Sequence, residues 1–372
     1  MARSPHSGTL PEENPFVASC LRYSAQGTRD LIGLPEKPGS AERELSRLTE
    51  RVRVAVQGAG SGEKVVDAVR RVLVSEEGFV YDRAAKNPGN YLLGSVLARK
   101  RGNCLGLSML CLAIAERLGL PFRGVYLPSH CFVRYDGGGA HVNMDFADGG
   151  ASWGDDRYRS EFGVGPDRPY LRSLSADQML GVFLKSLGAG YSLRGRDEEA
   201  LRLYEAAGRL YPGLPDVYYN SGVSLQKLGR NEEAIAGYRK ALALDPEMAA
   251  PRDNMSILFL GKGMYEEAIA QARRAVELEP WNAASRGNLA SAYCACGRFD
   301  EGIREYRRAK EIAPENPRVR AGLARAYFAR GTYRQAAQEC GRAEALGCRF
   351  DPAMLKVLAR YREERKPRGA LP

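Results

Sequence analysis

The sequence predicts two different structural parts: an α+β domain followed by an all-α superhelix built from repeated helix pairs. Two observations support this prediction. From residue 181 to residue 350 the chain repeats itself every 34 residues. Upstream, an amphipathic helix pattern over 104–118 precedes two runs of alternating apolar and polar residues, 124–135 and 140–146, which is typical of β-strands.

The repeat is defined by positions that recur through five units. A glycine precedes each second helix, where the chain must turn tightly, and small residues recur where the two helices of a unit approach closely. The recurring glycines are Gly195, Gly229, Gly263, Gly297 and Gly331, and the first small positions are Ala200, Ala234, Ala268, Gly302 and Ala336. This pattern resembles the tetratricopeptide (TPR) repeat. We therefore expect five TPR units over 181–350, followed by a capping helix and a basic tail over 351–372.

The region before the repeats changes character at about residue 40. Residues 1–39 are rich in Pro, Gly, Ser and charge, and we expect them to be poorly ordered. The α+β domain is predicted to occupy 40–175.

Composition argues against several classes of partner. The formal charge is +10, but most arginines alternate with glutamates as on solvated helix faces, so no nucleic acid is expected. No apolar run reaches the length of a membrane span, so no membrane partner is expected. The three histidines and eight cysteines lack metal-ligand spacing, so we expect no metal and no cofactor.

The N-terminal segment has no apolar stretch of the kind that directs secretion, so a cytoplasmic location is predicted. The run Val17-Ala18-Ser19-Cys20 matches a bacterial lipobox. A lipoprotein would follow only if the true start lay upstream.

Cys104 occupies a position that activates thiols. Asn103 is a good N-cap and Gly119 a good C-terminal stop, so 104–118 is predicted to be a helix with Cys104 in its first turn. The positive end of the helix dipole favours a thiolate there.

The two strand runs predict a hairpin that pairs a histidine with a carboxylate. If the four residues 136–139 form the loop, opposed residues sum to 275 and His130 lies opposite Asp145, about 5 Å away. A carboxylate at that distance orients an imidazole and supports its charged form. Asn143, opposite Phe132, is the reserve third member.

Other candidates on the same stretch are interpreted as structural. His141 shares the face of His130 but is four residues from Asp145 on one strand, so we interpret it as a bystander. Cys131 points away from His130 on an alternating strand, and Cys111 lies on the buried stripe of the helix.

The order of these residues resembles a known superfamily. A cysteine at a helix start, a histidine on a strand and an aspartate on the next strand are typical of transglutaminase-like, papain-like domains. The segments GNCLGLSMLCLAIAERLGLP, Pro-Ser-His and Asn-Met-Asp resemble the bacterial SirB-type branch, which is often fused to TPR repeats. The resemblance implies Cys104 as nucleophile, His130 as general base and acid, and Asp145 as the orienting acid.

Two functions from different classes follow. One is cysteine-dependent acyl transfer or hydrolysis at an amide, as in a protease, deamidase or transamidase. Its acceptor, water or an amine, depends on how well residues 147–170 exclude water, with Trp153, Tyr158 and Phe162 among them. The alternative is an inactive scaffold that acts through protein–protein interaction alone.

The repeats also predict a binding surface. The sixth position of the middle three units is Asn220, Asn254 and Asn288, and in TPR proteins this position faces the groove. Side-chain amides there can pair with a peptide backbone. A protein or peptide partner held in the TPR groove is therefore expected.

Overall fold

The computed structural model describes residues 15–33, 37–83 and 87–362, which divide into two compact units, Met1–Arg230 and Asn231–Pro372. The predicted fold class is confirmed: a small α/β N-terminal region is followed by a long all-helical region.

Unit one contains helices and short strands in mixed order. Its helices are α1 Pro15–Gly27, α2 Ser40–Val56, α3 Gly62–Arg70 (continued by a π-helical turn, Arg71–Glu76), α4 Leu93–Arg99, α5 Cys104–Leu118, α6 Asp155–Phe162, α7 Ala176–Ser192, α8 Asp197–Leu210 and α9 Pro215–Lys227. Its strands are β1 Val80–Tyr81, β2 Arg101–Gly102, β3 Phe122–Leu127, β4 His130–Gly137, β5 Ala140–Met144 and β6 Ser173–Leu174. Strands β1 and β2 pair in parallel, and the second sheet has the antiparallel order β5-β4-β3-β6.

Helix α5 has the predicted bounds because its capping residues act as expected. The Asn103 side chain accepts a hydrogen bond from the Gly106 N–H at 2.9 Å. At the other end Gly119 adopts a left-handed φ of 63°. Between these caps, nearly every residue from Cys104 to Ala115 is buried, so α5 is the central helix of the unit.

The hairpin prediction needs two corrections. The run 124–135 is not one strand, because Pro128 and Ser129 turn the chain between β3 and β4, with Ser129 at φ 65°. The second turn contains only Gly138 and Gly139, both at positive φ, so opposed residues in β4 and β5 sum to 277 and not to 275. The shift of two residues preserves the face of every side chain.

The N-terminal segment also differs from its prediction. Composition predicts poor order over 1–39, but residues 15–27 form α1, whose Phe16, Val17 and Cys20 are buried in the core. These apolar residues lie on one helical face, and an average over the whole segment hides that pattern. Residues 1–14 lie outside the described residues.

The core of unit one continues into the repeat region. Buried residues of α7 and α8 belong to the same hydrophobic cluster as α5 and the sheet, and that cluster extends to Val217 in α9. The predicted sequence boundary at 175 is therefore not a break in packing.

Unit two consists of helices in antiparallel pairs with the predicted 34-residue period. They are α10 Asn231–Leu244, α11 Ala249–Gly261, α12 Tyr265–Leu278, α13 Ala283–Ala295, α14 Phe299–Ile312, α15 Pro317–Ala329, α16 Tyr333–Ala345 and α17 Pro352–Arg362. The repeat glycines before second helices have positive φ, and the small positions after them are buried, as predicted. Helix α17 buries Met354 and Leu358 in the same hydrophobic cluster as residues of α15 and α16.

Candidate active site

Cys104 lies at the first residue of α5, and its side chain is nearly buried, 9% exposed. The helix start is held against the loop at Asn90, whose carbonyl oxygen accepts the Asn103 N–H at 2.8 Å. Gly106 allows this approach, because a Cβ atom there would lie 2.2 Å from the same carbonyl oxygen. The thiol is thus fixed by packing on both sides of its helix turn.

His130 and Asp145 meet beside Cys104. The His130 Nε2 lies 2.7 Å from Asp145 Oδ2, and both side chains are buried. This contact leaves the other ring nitrogen, Nδ1, for the thiol. Asp145 is not directly opposite His130 in the ladder, because the observed register places the position of Asp145 opposite Phe132 and β5 itself ends at Met144. It reaches the ring from just beyond the strand, where its N–H bonds to the Ala151 carbonyl oxygen.

The Asp145 carboxylate is held by two further donors. Its Oδ1 accepts the Ala147 N–H at 2.9 Å, and its Oδ2 accepts the Tyr158 hydroxyl at 3.1 Å. With His130, these bonds fix the carboxylate in one orientation. Tyr158 therefore orients Asp145. This role is additional to the exclusion of water, which the sequence suggests for Tyr158.

The electrostatics favour an ion pair between the thiolate and the imidazolium. Burial opposes the charge on His130, but hydrogen bonds to Asp145 and Cys104 outweigh it and raise the pKa of His130 to about 9. A hydrogen bond with Cys131 lowers the pKa of Cys104, burial raises it, and His130 lowers it again, so that it lies well below that of an ordinary thiol. Both shifts favour the charged pair over the neutral one.

Cys131 is a direct neighbour of Cys104, although alternation along the strand predicts that it points away from His130. It bonds to Cys104 through both its side chain and its backbone, which lowers the pKa of Cys104. The bond with Cys104 and burial raise the pKa of Cys131, so it remains a thiol and donates to the Cys104 thiolate. Because Cys104 lies beside the first residues of β4, alternation along the strand does not separate His130 from Cys131.

Aromatic side chains of the segment 147–170 cover the histidine. Phe162 stacks on the His130 ring with a centroid distance of 4.9 Å and an interplanar angle of 8°. Behind it, Tyr158 stacks on Phe132 at 4.1 Å, and Trp153 packs against Tyr158 at 5.4 Å. One face of the imidazole is thus covered by the Phe162 ring.

The two remaining polar candidates of the hairpin lie in other networks. Asn143 is opposite Arg134, whose Nε donates to its Oδ1 at 2.7 Å, and its own amide donates to the Trp153 carbonyl oxygen. Asn143 therefore braces Arg134. His141 is exposed at the far end of the hairpin and pairs with Asp136.

A cavity of about 420 Å³ opens over the thiol. Cys104, His130 and Ser129 form one side, and helices α7 and α9 form another. Helix α7 contributes Lys185 and Ser186, α9 contributes Asp216 and Asn220, and Arg194 lies just after the end of α7. Lys185 donates to the Tyr126 hydroxyl at 3.2 Å, and one Asp216 oxygen is buried without a hydrogen-bond partner in the part of the chain that the structure describes.

The three predicted groove asparagines therefore differ. Asn220 lines the Cys104 cavity. In unit two, the Asn254 amide donates to the Tyr238 hydroxyl at 3.2 Å, and the Asn288 amide donates to Asp253 at 3.1 Å. The three asparagines share one repeat position, so the sequence does not predict that Asn220 lines a cavity while Asn254 and Asn288 bond to groups of unit two.

Comparison with known proteins agrees with this architecture. The family model described as transglutaminase-like superfamily matches residues 39–180. Two models described as tetratricopeptide repeat match 215–248, and 259–313 with 297–360. The chain joins a transglutaminase-like domain to TPR repeats.

Similar proteins include bacterial relatives that match part of the chain. A UPF0162 protein of Xylella fastidiosa (strain Temecula1) is 27% identical over 151 residues, which is 38% of this chain and 54% of the relative. A UPF0162 protein of Pseudomonas aeruginosa is 32% identical over 99 residues, 26% of this chain and 36% of the relative. The chain thus spans about half the length, or less, of these relatives. A solved structure of Pseudomonas aeruginosa PilF has a TM-score of 0.47 at 23% identity, and the match covers 51% of this chain and 88% of PilF.

The described residues contain neither a membrane-spanning helix nor a metal-binding cluster. No helix among them has the length and apolar character needed to cross a bilayer. Nor do residues 15–33, 37–83 and 87–362 contain a group of three or more His, Cys, Asp or Glu side chains that could hold a metal ion.

Proposed function

We propose that the transglutaminase-like domain is a cysteine-dependent enzyme that transfers or hydrolyses an acyl group at an amide of a protein or peptide. The observation that carries the proposal is the buried Asp145–His130 hydrogen bond beside a thiol whose pKa is lowered. A purely structural cysteine needs neither an imidazolium nor a carboxylate behind it.

In the acylation step, Cys104 Sγ attacks the amide carbonyl carbon. The N–H groups of Cys104 and Leu105 lie in the first turn of α5, where no intrahelical acceptor is available, and they can bond to the developing oxyanion. His130 then gives its proton to the leaving amine as the carbon–nitrogen bond breaks, and a thioester remains on Cys104.

In the second step, His130 takes a proton from the incoming acceptor while that acceptor attacks the thioester. Water gives hydrolysis or deamidation, whereas an amine gives transamidation. The stacked Phe162 and Tyr158 shield one side of His130 from solvent, so access of the acceptor is limited to the cavity side.

We further propose that the substrate peptide lies along the cavity wall formed by α7 and α9. Asn220 has no hydrogen-bond partner among the described residues, so its amide is available to a peptide backbone. Asn254 and Asn288 already donate to groups of unit two, and we expect them to contribute less to capture.

Location and domain boundaries belong to the same proposal. All eight cysteines lie within the described residues and are free thiols, which supports a reducing compartment such as the cytoplasm. We retain 40–175 as the enzymatic domain and 181–350 as the repeats that hold the partner.

The experiment is to trap the acyl-enzyme. The full chain is incubated with a peptide mixture, and the peptide containing Cys104 is examined by mass spectrometry before and after hydroxylamine, which cleaves thioesters. We expect a hydroxylamine-sensitive adduct on Cys104 that Cys104→Ala lacks and that His130→Ala reduces. With biotinylated cadaverine added, label in substrate peptides indicates an amine acceptor.

The alternative is an interaction scaffold without catalysis, which the TPR repeats support. If Cys104 forms no adduct while Cys104→Ala captures the same partners as the wild-type chain, this alternative replaces the enzyme. Asn220→Ala then tests the cavity wall separately, because it should weaken capture and leave Cys104 alkylation unchanged.

A further inference from the structure

Three successive repeats of unit two carry an arginine at the same repeat position near the start of the first helix: Arg252, Arg286 and Arg320. Each guanidinium donates to the carbonyl oxygen of the proline six residues earlier, which is Pro246, Pro280 or Pro314. The arginine thus ties the first helix of a repeat to the end of the preceding helix.

In two of the repeats a glutamate neutralises this arginine. Arg286 pairs with Glu305 at 2.7 Å, and Arg320 pairs with Glu339 at 3.0 Å. In both pairs the glutamate follows the arginine by nineteen residues, and both side chains are largely buried. A largely buried guanidinium is stable there because a carboxylate replaces its lost hydration.

The repeat that contains Arg252 lacks this carboxylate. Gln271 occupies the equivalent position, and its neutral amide oxygen lies 3.4 Å from Arg252 Nη1. The guanidinium of Arg252 also has a different orientation. Its Nη2 donates to the proline carbonyl oxygen, whereas Arg286 and Arg320 donate through Nε. As a result Arg252 Nε is buried, and within the described residues it has no hydrogen-bond partner.

A cavity of about 420 Å³ lies beside this unneutralised arginine. Its lining includes Arg239, Met255, Phe259 and Glu267 together with Arg252 and Gln271. Arg239 and Glu267 are exposed. The lining therefore contains two positive side chains, Arg239 and Arg252, and one carboxylate, Glu267, which is solvated. Burial and the nearby Arg274 lower the pKa of Arg252 although Glu277 opposes them, as expected for a cation without an anion at hand.

We propose that this cavity binds an acidic side chain of a partner peptide, with Arg252 as the group that recognises the carboxylate. The partner's carboxylate takes the place that Glu305 and Glu339 occupy in the following repeats. Met255 and Phe259 offer apolar contact to a residue beside the acidic one. The class of ligand is therefore an acidic–apolar peptide segment, and the site is independent of Cys104 chemistry.

The test is a peptide titration that compares a glutamate ligand with a glutamine ligand. The probe is the capped peptide acetyl-Leu-Glu-Leu-amide, titrated into the full chain while the Nε–H resonance of Arg252 is followed by NMR. Arg252→Lys assigns the resonance, and the same peptide with glutamine in place of glutamate is the control ligand. We expect a saturable shift with the glutamate peptide and at least about tenfold weaker binding of the glutamine peptide.

Gln271→Glu supplies the missing carboxylate from within the chain and should abolish the shift, because Arg252 is then already paired. The reciprocal change Glu305→Gln should create a second responsive arginine at Arg286. The proposal is overturned if Gln271→Glu binds the peptide as well as the wild-type chain does, or if both peptides bind equally. An equal response to inorganic phosphate would also overturn it, since the cavity would then be a general anion site.

Discussion

The hairpin of β4 and β5 carries a histidine–aspartate pair at each end, and the two pairs are built differently. At the start of β4, His130 and Asp145 have side chains that are 8% and 2% exposed, and Cys104 lies beside them. At the turn end, His141 and Asp136 are cross-strand partners, and the His141 side chain is 72% exposed. The same two residue types therefore form a buried, oriented pair in one place and a solvated pair in the other.

The difference shows that environment, and not the residue pair, decides the chemistry. In a buried site a carboxylate interacts strongly with an imidazole because little water screens it, whereas an exposed pair contributes little. The buried pair is also fixed by Tyr158 and Ala147, and it lies beside the Cys104 thiol. The following predictions compare the two ends.

The largest expected difference is between the two histidines. His130→Ala should reduce iodoacetamide alkylation of Cys104 at pH 7 by up to about thirtyfold, the limit for a thiol that returns to an ordinary pKa near 8.5 and is only about 3% ionised there. The hydrogen bond with Cys131 remains in the variant and keeps the loss below that limit. His141→Ala is the matched control and should leave the rate unchanged. A larger loss with His141→Ala would show that the exposed pair, and not the buried one, activates the thiol.

The second prediction concerns stability at the buried end. Gly106→Ala places a methyl group 2.2 Å from the Asn90 carbonyl oxygen and should lower the free energy of unfolding of unit one by about 1–3 kcal/mol. At the exposed end, Gly139→Ala meets no atom within 4 Å, but φ is 77°, so about 1 kcal/mol is expected. Urea unfolding, followed by Trp153 fluorescence in a Trp281→Phe background, measures both. Equal losses would mean that the helix start has room to adjust.

The third prediction compares the two aspartates. Asp145→Asn still accepts a hydrogen bond from the imidazole but carries no charge, so the pKa of His130 should fall from about 9. Since the raised pKa keeps the imidazolium charged up to about pH 9, the alkaline limb of acyl transfer should move to lower pH in the variant. Alkylation of Cys104 at pH 7 should fall about three- to tenfold, because the thiolate loses part of its counter-ion. Asp136→Asn should change neither profile.

The smallest effect is expected at Tyr158. Tyr158→Phe keeps the stack on Phe132 but removes one hydrogen bond to Asp145, which is worth about 1 kcal/mol. Cys104 alkylation should slow by less than Asp145→Asn slows it, with the same direction of change. If Tyr158→Phe is as damaging as Asp145→Asn, the hydroxyl has a role beyond orienting the carboxylate.

Local signals in the sequence predict much of this arrangement. The caps Asn103 and Gly119 define α5, and the repeat glycines define the helix pairs, because these positions depend on backbone geometry within a few residues. The pairing of His130 with Asp145 also follows from the sequence, although the predicted register differs by two residues. An even shift keeps both side chains on one face, so the conclusion survives an incorrect loop length.

Features that depend on tertiary contacts are not predictable in this way. Cys131 contacts Cys104 because the first residue of α5 lies beside the first residues of β4. The alternation of residues along one strand does not reveal such a contact between elements. Helix α1 buries Phe16 and Cys20 in the core, and the average composition of residues 1–39 hides this apolar face. The contrast between Arg252 and Arg286 likewise appears only when each arginine is seen with its partner.

The central claim is that Cys104 is a thiolate held by His130, and its labelling profile tests this most directly. Iodoacetamide is reacted with the native chain from pH 5 to pH 9, and the extent of labelling at each cysteine is read by mass spectrometry. Because its pKa is lowered, Cys104 should label near its maximal rate already at pH 7 and lose reactivity only on further acidification. An unstructured cysteine peptide in the same reaction serves as the reference, and its labelling should rise through the ordinary thiol range near pH 8.5. If Cys104 instead labels only above about pH 8.5, in parallel with that peptide, the thiolate and the proposed enzyme are both contradicted.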